Sequence, residues 1–282
     1  DFGDREDVIR PLFGALGTYD FEVVSRQLTS TETILRYYDP DNVLIGRIVS
    51  DRRILKDALI NAISRTHPDL PREITDDQYI AVRTFLSQFK QIFSINYDLL
   101  FYWARNKSGL APVNYTTDDG FRKPRQWKGY GTDQEVHFLH GGLHIYDTGE
   151  VIKKHACTDD GDTIIEQVRK NLRAGKFPLF VSEPTYHKKQ YKITHNPYLN
   201  FCYRKLGSLS GTLFIHGHSM DENDKHIFDQ VRSSRVSKVF VSIHGDEHSD
   251  ANTRAKANAK AYMEKLGKHV EFYRAESTPV WA

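Results

Sequence analysis

From residue 90 onward, short apolar runs alternate with amphipathic helical patterns, and this alternation limits the chain to few folds. The runs are 91–95 (QIFSI), 136–139 (VHFL), 177–181 (FPLFV), 212–215 (TLFI), 238–243 (KVFVSI) and 270–273 (VEFY). Helical patterns fall at 162–173, 197–206, 223–232 and 250–266, with Asn196-Pro197 and Ser249-Asp250 as helix starts and Gly267 as a stop. Strands that alternate with helices predict an α/β fold, a Rossmann-like, mostly parallel sheet with helices on both faces. The first 90 residues read differently. Phe21, Val24, Leu28 and Leu35 share one helical face behind Asp20, and Leu55, Ala58 and Leu59 share another. The expected organisation is a mostly helical N-terminal part over 1–90 and a core over 91–282. Residues 106–135, rich in Gly, Pro and Asp and without sustained period, read as a loop or lid inserted in that core.

Composition removes several classes of function. The 282 residues are 39% apolar and 27% charged, which is ordinary for a globular chain long enough to bury a sizeable core. A formal net charge of +2 gives no field that would favour nucleic acid or a membrane surface. The basic clusters Lys153-Lys154, Lys188-Lys189 and 254–268 read as solvated helix faces. Cys157 and Cys202 are the only cysteines, so a four-cysteine zinc ribbon is excluded and a reducing cytoplasm is the expected setting. No apolar run approaches the ~18 residues of a membrane span.

In an open parallel sheet, ligands bind beyond the carboxyl ends of the strands. Five of the predicted strands end in small, polar or titratable groups: Asn96-Tyr97-Asp98, His140-Gly141-Gly142, Ser182-Glu183, His216-Gly217-His218-Ser219 and His244-Gly245-Asp246. Together they suggest one polar crevice. Asn96 and Asp98 can hydrogen-bond ribose hydroxyls or an amide. Gly141 and Gly142 leave room for a ligand to approach the backbone, and His140 is a candidate general base. Gly217-His218-Ser219 precedes a predicted helix start at 221–223, a turn suited to an anion such as phosphate. The stretch VHFLHGGLHIY, 136–146, holds three histidines. Strand period sets His137 and His140 on opposite faces, which leaves His137 and His144 as structural residues.

In order and spacing these residues resemble the sirtuin fold and its NAD-cleaving relatives, through SINYD (94–98), LHG (139–141) and GHSMDENDKHI (217–227). The stretches ALGTYDFEVV (15–24), FPLFVSE (177–183) and AESTPVW (275–281) further resemble a bacterial sirtuin-like family of unknown function. The resemblance implies that Asn96 positions the ribose and the attacking group and that His140 is the general base. It also implies that Asp98 lies near the nicotinamide amide, and that Gly217 and Ser219 contact the adenosine half or the phosphates. The chain lacks the cysteines of the deacylating sirtuins' zinc module, so water becomes the expected nucleophile. The implied activity is an NAD glycohydrolase with NAD as substrate and no metal, acting in bacterial anti-phage defence by NAD depletion. Its partners would be a second copy of the chain or an activating sensor subunit. The family's Gly-rich pyrophosphate loop is expected upstream of Asp1.

Two other readings compete. A module that senses NAD or a related nucleotide would keep the crevice without turnover. A metal-dependent phosphoesterase would draw on the histidine groups 137/140/144, 216/218 and 244–250.

Overall fold

The computed structural model describes residues 2–17, 21–68, 70–131, 134–155, 166–168, 170, 178–183, 185–264, 267–278 and 280–281. The N-terminal part is helical, with α1 Glu6–Ala15, α2 Phe21–Tyr38, α3 Val43–Thr66 and α4 Asp76–Leu86. α3 starts earlier than its apolar pattern, where the Asn42 side chain accepts from Leu44 N at 2.8 Å. Thr75 and Gln78 close a capping box at the start of α4, each side chain receiving the other's backbone N–H. The first three helices enclose a small core of their own, built on Phe2, Ile9, Val24, Leu55 and Ala58. Asp20, expected to cap α2, lies outside the described residues, as does Cys157. Of the helix expected over 162–173, residues 166–168 and 170 are helical and the others lie outside the described residues.

The core is mixed α/β. Its strands are β1 Gln91–Ser94, β2 Phe121–Arg122, β3 Gln126–Trp127, β4 Glu135–Phe138, β5 Gly141–Asp147, β6 Ile152–Lys154, β7 Pro178–Phe180, β8 Ser210–Ile215, β9 Arg235–Ile243 and β10 His269–Arg274. Among the described residues they form three sheets, ordered β1-β4, β10-β9-β8 and β2-β3-β6-β5-β7. The first two sheets are parallel throughout. The third and largest is antiparallel throughout, so the mostly parallel sheet expected from the sequence describes two sheets of three. Its strands come largely from stretches with no clear strand signal, including β2 and β3 from within 106–135. The remaining helices are α5 Leu100–Asn106, α6 Tyr186–His195, α7 Pro197–Gly207, α8 Lys225–Ser233 and α9 Asp250–Met263. Asn196 caps α7 by accepting from Tyr198 N and Leu199 N, both at 3.1 Å. No helix among the described residues is long and apolar enough to cross a membrane.

Residues 106–135 are fastened to this core. Buried Asp119 takes Arg105 at 2.8 Å and Lys154 at 2.7 Å, while Asp118 pairs with Arg122 at 2.6 Å. Burial alone would raise the Asp119 carboxyl, but the Arg105 and Lys154 charges outweigh it and hold the group below the usual carboxylate range. Trp127 meets Tyr198 and Phe201 of α7 edge-on.

The stretch VHFLHGGLHIY is two strands, not a strand and a loop. β4 turns at Leu139-His140 and continues at once as β5. Gly141 makes the corner possible: its φ is +74°, and a Cβ built there would lie 2.0 Å from Leu179 O of β7. The space beside Gly141 is therefore taken by β7 and not left to a ligand. Val181 N then donates to His140 O at 2.9 Å, and Leu143 N to Tyr97 O at 2.9 Å. The corner residue is thus held by backbone from both sides. Gly141→Ala is expected to destabilise the fold by at least about 2 kcal/mol, through overpacking and left-handed strain. Denaturant unfolding would check this; an unchanged midpoint would show that β7 gives way freely.

Candidate functional site

Three strands of the parallel sheets bring their carboxyl ends to one cavity of about 450 Å³. β1 delivers Asn96, Tyr97 and Asp98, the β4–β5 corner delivers His140, and the turn after β8 delivers Ser219 and Asp221. Four of the six residues singled out from the sequence, Asn96, Asp98, His140 and Ser219, therefore share one wall. Gly217 stands at the edge of this group, with φ +70° and open space where a Cβ would be, its N–H donating to Ser242 Oγ at 2.9 Å. Gly141 lies behind the wall, packed against β7.

Asn96 is exposed, and its side-chain amide has no hydrogen-bond partner among the described residues. Asp98 serves two purposes. One carboxylate oxygen accepts from Leu100 N at 2.9 Å at the start of α5, and the side chain also lines the cavity. The turn after β8 is strained at Met220, a buried residue with φ +59°. Its N–H donates to His218 Nδ1 at 2.8 Å. With that nitrogen accepting, His218 Nε2 bears the proton directed at Asp224 Oδ2, 3.3 Å away.

Asp224 ties the floor together. Lys189 Nζ of α6 lies 3.0 Å from its Oδ1, and His140 Nε2 3.8 Å. Burial opposes its ionisation, but the His218 hydrogen bond and the Lys189 ammonium prevail and hold its carboxyl far below the usual range. His140 Nε2 meets His226 Nε2 at 3.1 Å, with ring planes 17° apart and centroids at 5.2 Å. That is an edge-to-edge N–H···N contact between neutral rings. Burial pushes His140 well below its ordinary value despite the pull of Asp224, and pushes His226 down to about 4. With Nε2 committed to His226, Nδ1 of His140 is the nitrogen left for the cavity.

Lys189, Asp224 and His226 escaped the sequence reading. Lys188-Lys189 read as a solvated face, yet Lys189 is 2% exposed. His226 carries no signal of its own in the sequence, yet it is fully buried against His140. One signal was available: Asp224 and His226 belong to the same stretch, 217–227, as Gly217 and Ser219.

His140, Asp224 and His226 could hold a metal ion, their ligand atoms lying within 4.8 Å of one another. The Lys189 ammonium on Asp224 places a positive charge where such an ion would sit. Of the histidine groups that suggested a phosphoesterase, His140 and His218 meet at Asp224, and the others named lie elsewhere. His137 stacks on Phe93 at 4.6 Å, His144 on Tyr102 at 4.2 Å, His216 faces Tyr273 and His244 faces Glu276. A larger cavity, about 510 Å³ within 106–117, has Arg83 in its wall, but that guanidinium is spent on backbone carbonyls of Ala104, Lys107, Leu110 and Ala111.

A family model described as a domain of unknown function (DUF4917) matches residues 1–281. No curated protein matches the chain.

The buried histidine pair makes stability depend on pH. A histidine whose folded pKa is depressed stays neutral in the native state while the unfolded chain binds a proton. Stability is therefore full above about 6.5 and falls as pH drops toward about 4, by up to about 1.4 kcal/mol per pH unit for each such group. His226→Gln is expected to flatten this fall. Denaturation midpoints at pH 7.5 and 5.0 measure it; an equal drop in both proteins would remove His226 from the account.

Proposed function

The chain belongs to the DUF4917 family, and we propose that it hydrolyses NAD at the nicotinamide N-glycosidic bond. One observation supports this above others: Asn96, Asp98, His140 and Ser219, from three separate stretches, line one cavity whose wall is acidic. Asp98, Asp221 and Asp224 face it, against Lys189 alone. Such a wall favours a ligand end that is cationic and grows an oxocarbenium, which describes the nicotinamide riboside half of NAD. The parallel strands that end there support a Rossmann-like, sirtuin-type reading of this part of the fold.

In the proposed reaction the C1′–N1 bond breaks and its electron pair leaves with nicotinamide. A water oxygen bonds to C1′, and the water's second proton is released, giving ADP-ribose. Asn96, whose amide has no partner among the described residues, orients water and ribose. His140 Nδ1 engages a ribose hydroxyl or the attacking water as general base. Asp98 accepts from the nicotinamide amide, and Ser219 with the open backbone at Gly217 faces the phosphate side. No metal is needed for any of these steps. The setting we propose is bacterial defence by NAD depletion in the cytoplasm, with activity held latent until a second copy or a sensor subunit releases it. The unfilled amide of Asn96 and the cavity alone also suit a sensor that binds NAD without turnover.

Nicotinamide release from NAD by the full-length protein tests the proposal. Asn96→Ala and His140→Ala are each expected to lower the rate about 10²-fold or more, and a chelator to leave it unchanged. Tight NAD binding without release would favour the sensor, and loss of activity on chelation would favour a metal-dependent reaction at His140, Asp224 and His226.

A further inference from the structure

One face of α2 is left uncovered by the described residues. Gln27, Ser30, Thr31, Ile34, Tyr37 and Tyr38 recur at three- and four-residue spacing, which sets them on one side of the helix, and all six are exposed. Val24 and Leu28, on another side, pack in the N-terminal core with Leu55 of α3. The charges of this half of α2 also stand off the stripe, where Glu32 pairs with Arg36 and with Arg52 of α3. None of the six stripe residues carries a charge. Tyr37 is 85%, Tyr38 87% and Ile34 57% exposed, and exposed Val43 and Leu44 follow directly across the turn into α3. Single apolar side chains are ordinary on a surface, but five between 34 and 44 make a patch at one end of the helical hairpin.

The stripe loses little on leaving water. Ser30 Oγ donates to Arg26 O at 3.0 Å and Thr31 Oγ1 to Gln27 O at 2.9 Å, so both hydroxyl protons are already bonded within the helix. Its shape is graded along the axis. The two large rings lie at the C-terminal end, and the short hydroxyl residues lie about two turns before them.

We infer that this face pairs with the same face of a second copy of the chain, the two α2 helices running antiparallel about a two-fold axis. Ile34 then lies at the axis against the partner's Ile34. Tyr38 covers the partner's Ser30 and Tyr37 the partner's Thr31, so each ring fills the space beside a small side chain. A parallel arrangement would set ring against ring. The area also suits a second copy. The two tyrosines alone offer about 300 Å² per copy, and with the rest of the patch the face comes near the ~800 Å² that each partner of a standard interface buries. An uncharged stripe gives a highly charged partner no counter-charge to meet. The pairing stands independently of the NAD reading.

Sedimentation velocity of the full-length protein over a concentration series tests this. The wild-type protein is expected to dimerise, and Tyr38→Glu to raise the dissociation constant about thirtyfold or more. Because Tyr38 is exposed, the thermal midpoint of the variant's monomer should stay unchanged. Ile34→Cys reads the register: mild oxidation should give a disulfide-linked dimer absent from the wild-type protein, and Thr33→Cys, off the stripe, should not. A monomer at every concentration would overturn the pairing and leave the face to a different protein. A dimer of unchanged affinity in Tyr38→Glu would overturn it as well, and so would cross-linking through Thr33→Cys in place of Ile34→Cys.

Discussion

Asp224, half-buried at the cavity floor, binds together three segments that are distant in the chain. Its oxygens take Lys189 from α6 and His218 from the turn after β8, and His140 from the β4–β5 corner stands within 3.8 Å. Without that carboxylate, the buried Lys189 ammonium would lose the counter-charge it pairs with at 3.0 Å, a strongly destabilising change. Without Lys189 and His218, burial would favour protonation of the carboxyl, and the two neutral histidines behind it would lose the field they face. The geometry of the candidate site and the stability of this corner of the fold therefore share the same bonds.

Much of this was legible in the sequence where the signal was local. Strand ends at Asn96, His140 and Ser219 do meet in one cavity, as parallel strands present their ends on one edge, whereas Ser182-Glu183 and His244-Gly245-Asp246, expected in the same crevice, do not line it. The caps at Asn196 and Ser249 were equally plain, since they depend on one side chain and the two or three residues after it. What stayed hidden depends on tertiary contact. Lys189 looks like its neighbour Lys188, and only the packing of α6 against the turn at 222–224 buries one of the two. The antiparallel sheet was hidden for another reason. Apart from β5 its strands are short, β2 and β3 having two residues each, too few to show period two.

His137 and His144 show how pattern and environment divide the work. Period two separates His137 from His140, and the structure finds it against Phe93 and Glu135, away from the cavity. His144 lies between Tyr102 and Phe138, both ring nitrogens without a hydrogen-bond partner among the described residues. There it acts as a flat apolar filler, a role no spacing rule would assign to it.

The corner at Gly141 has a further consequence. His140 is the last residue of a parallel-strand path and the immediate neighbour of an antiparallel one, and β7 closes against it through backbone alone. Residues 178–181, Pro-Leu-Phe-Val, contain no titratable group and do not line the cavity. They nevertheless set the position of the histidine to within the tolerance of a hydrogen bond. Any substitution there that shifts the β7 backbone would therefore move His140 as well. The site's sensitivity to sequence would extend one strand deeper than its chemistry.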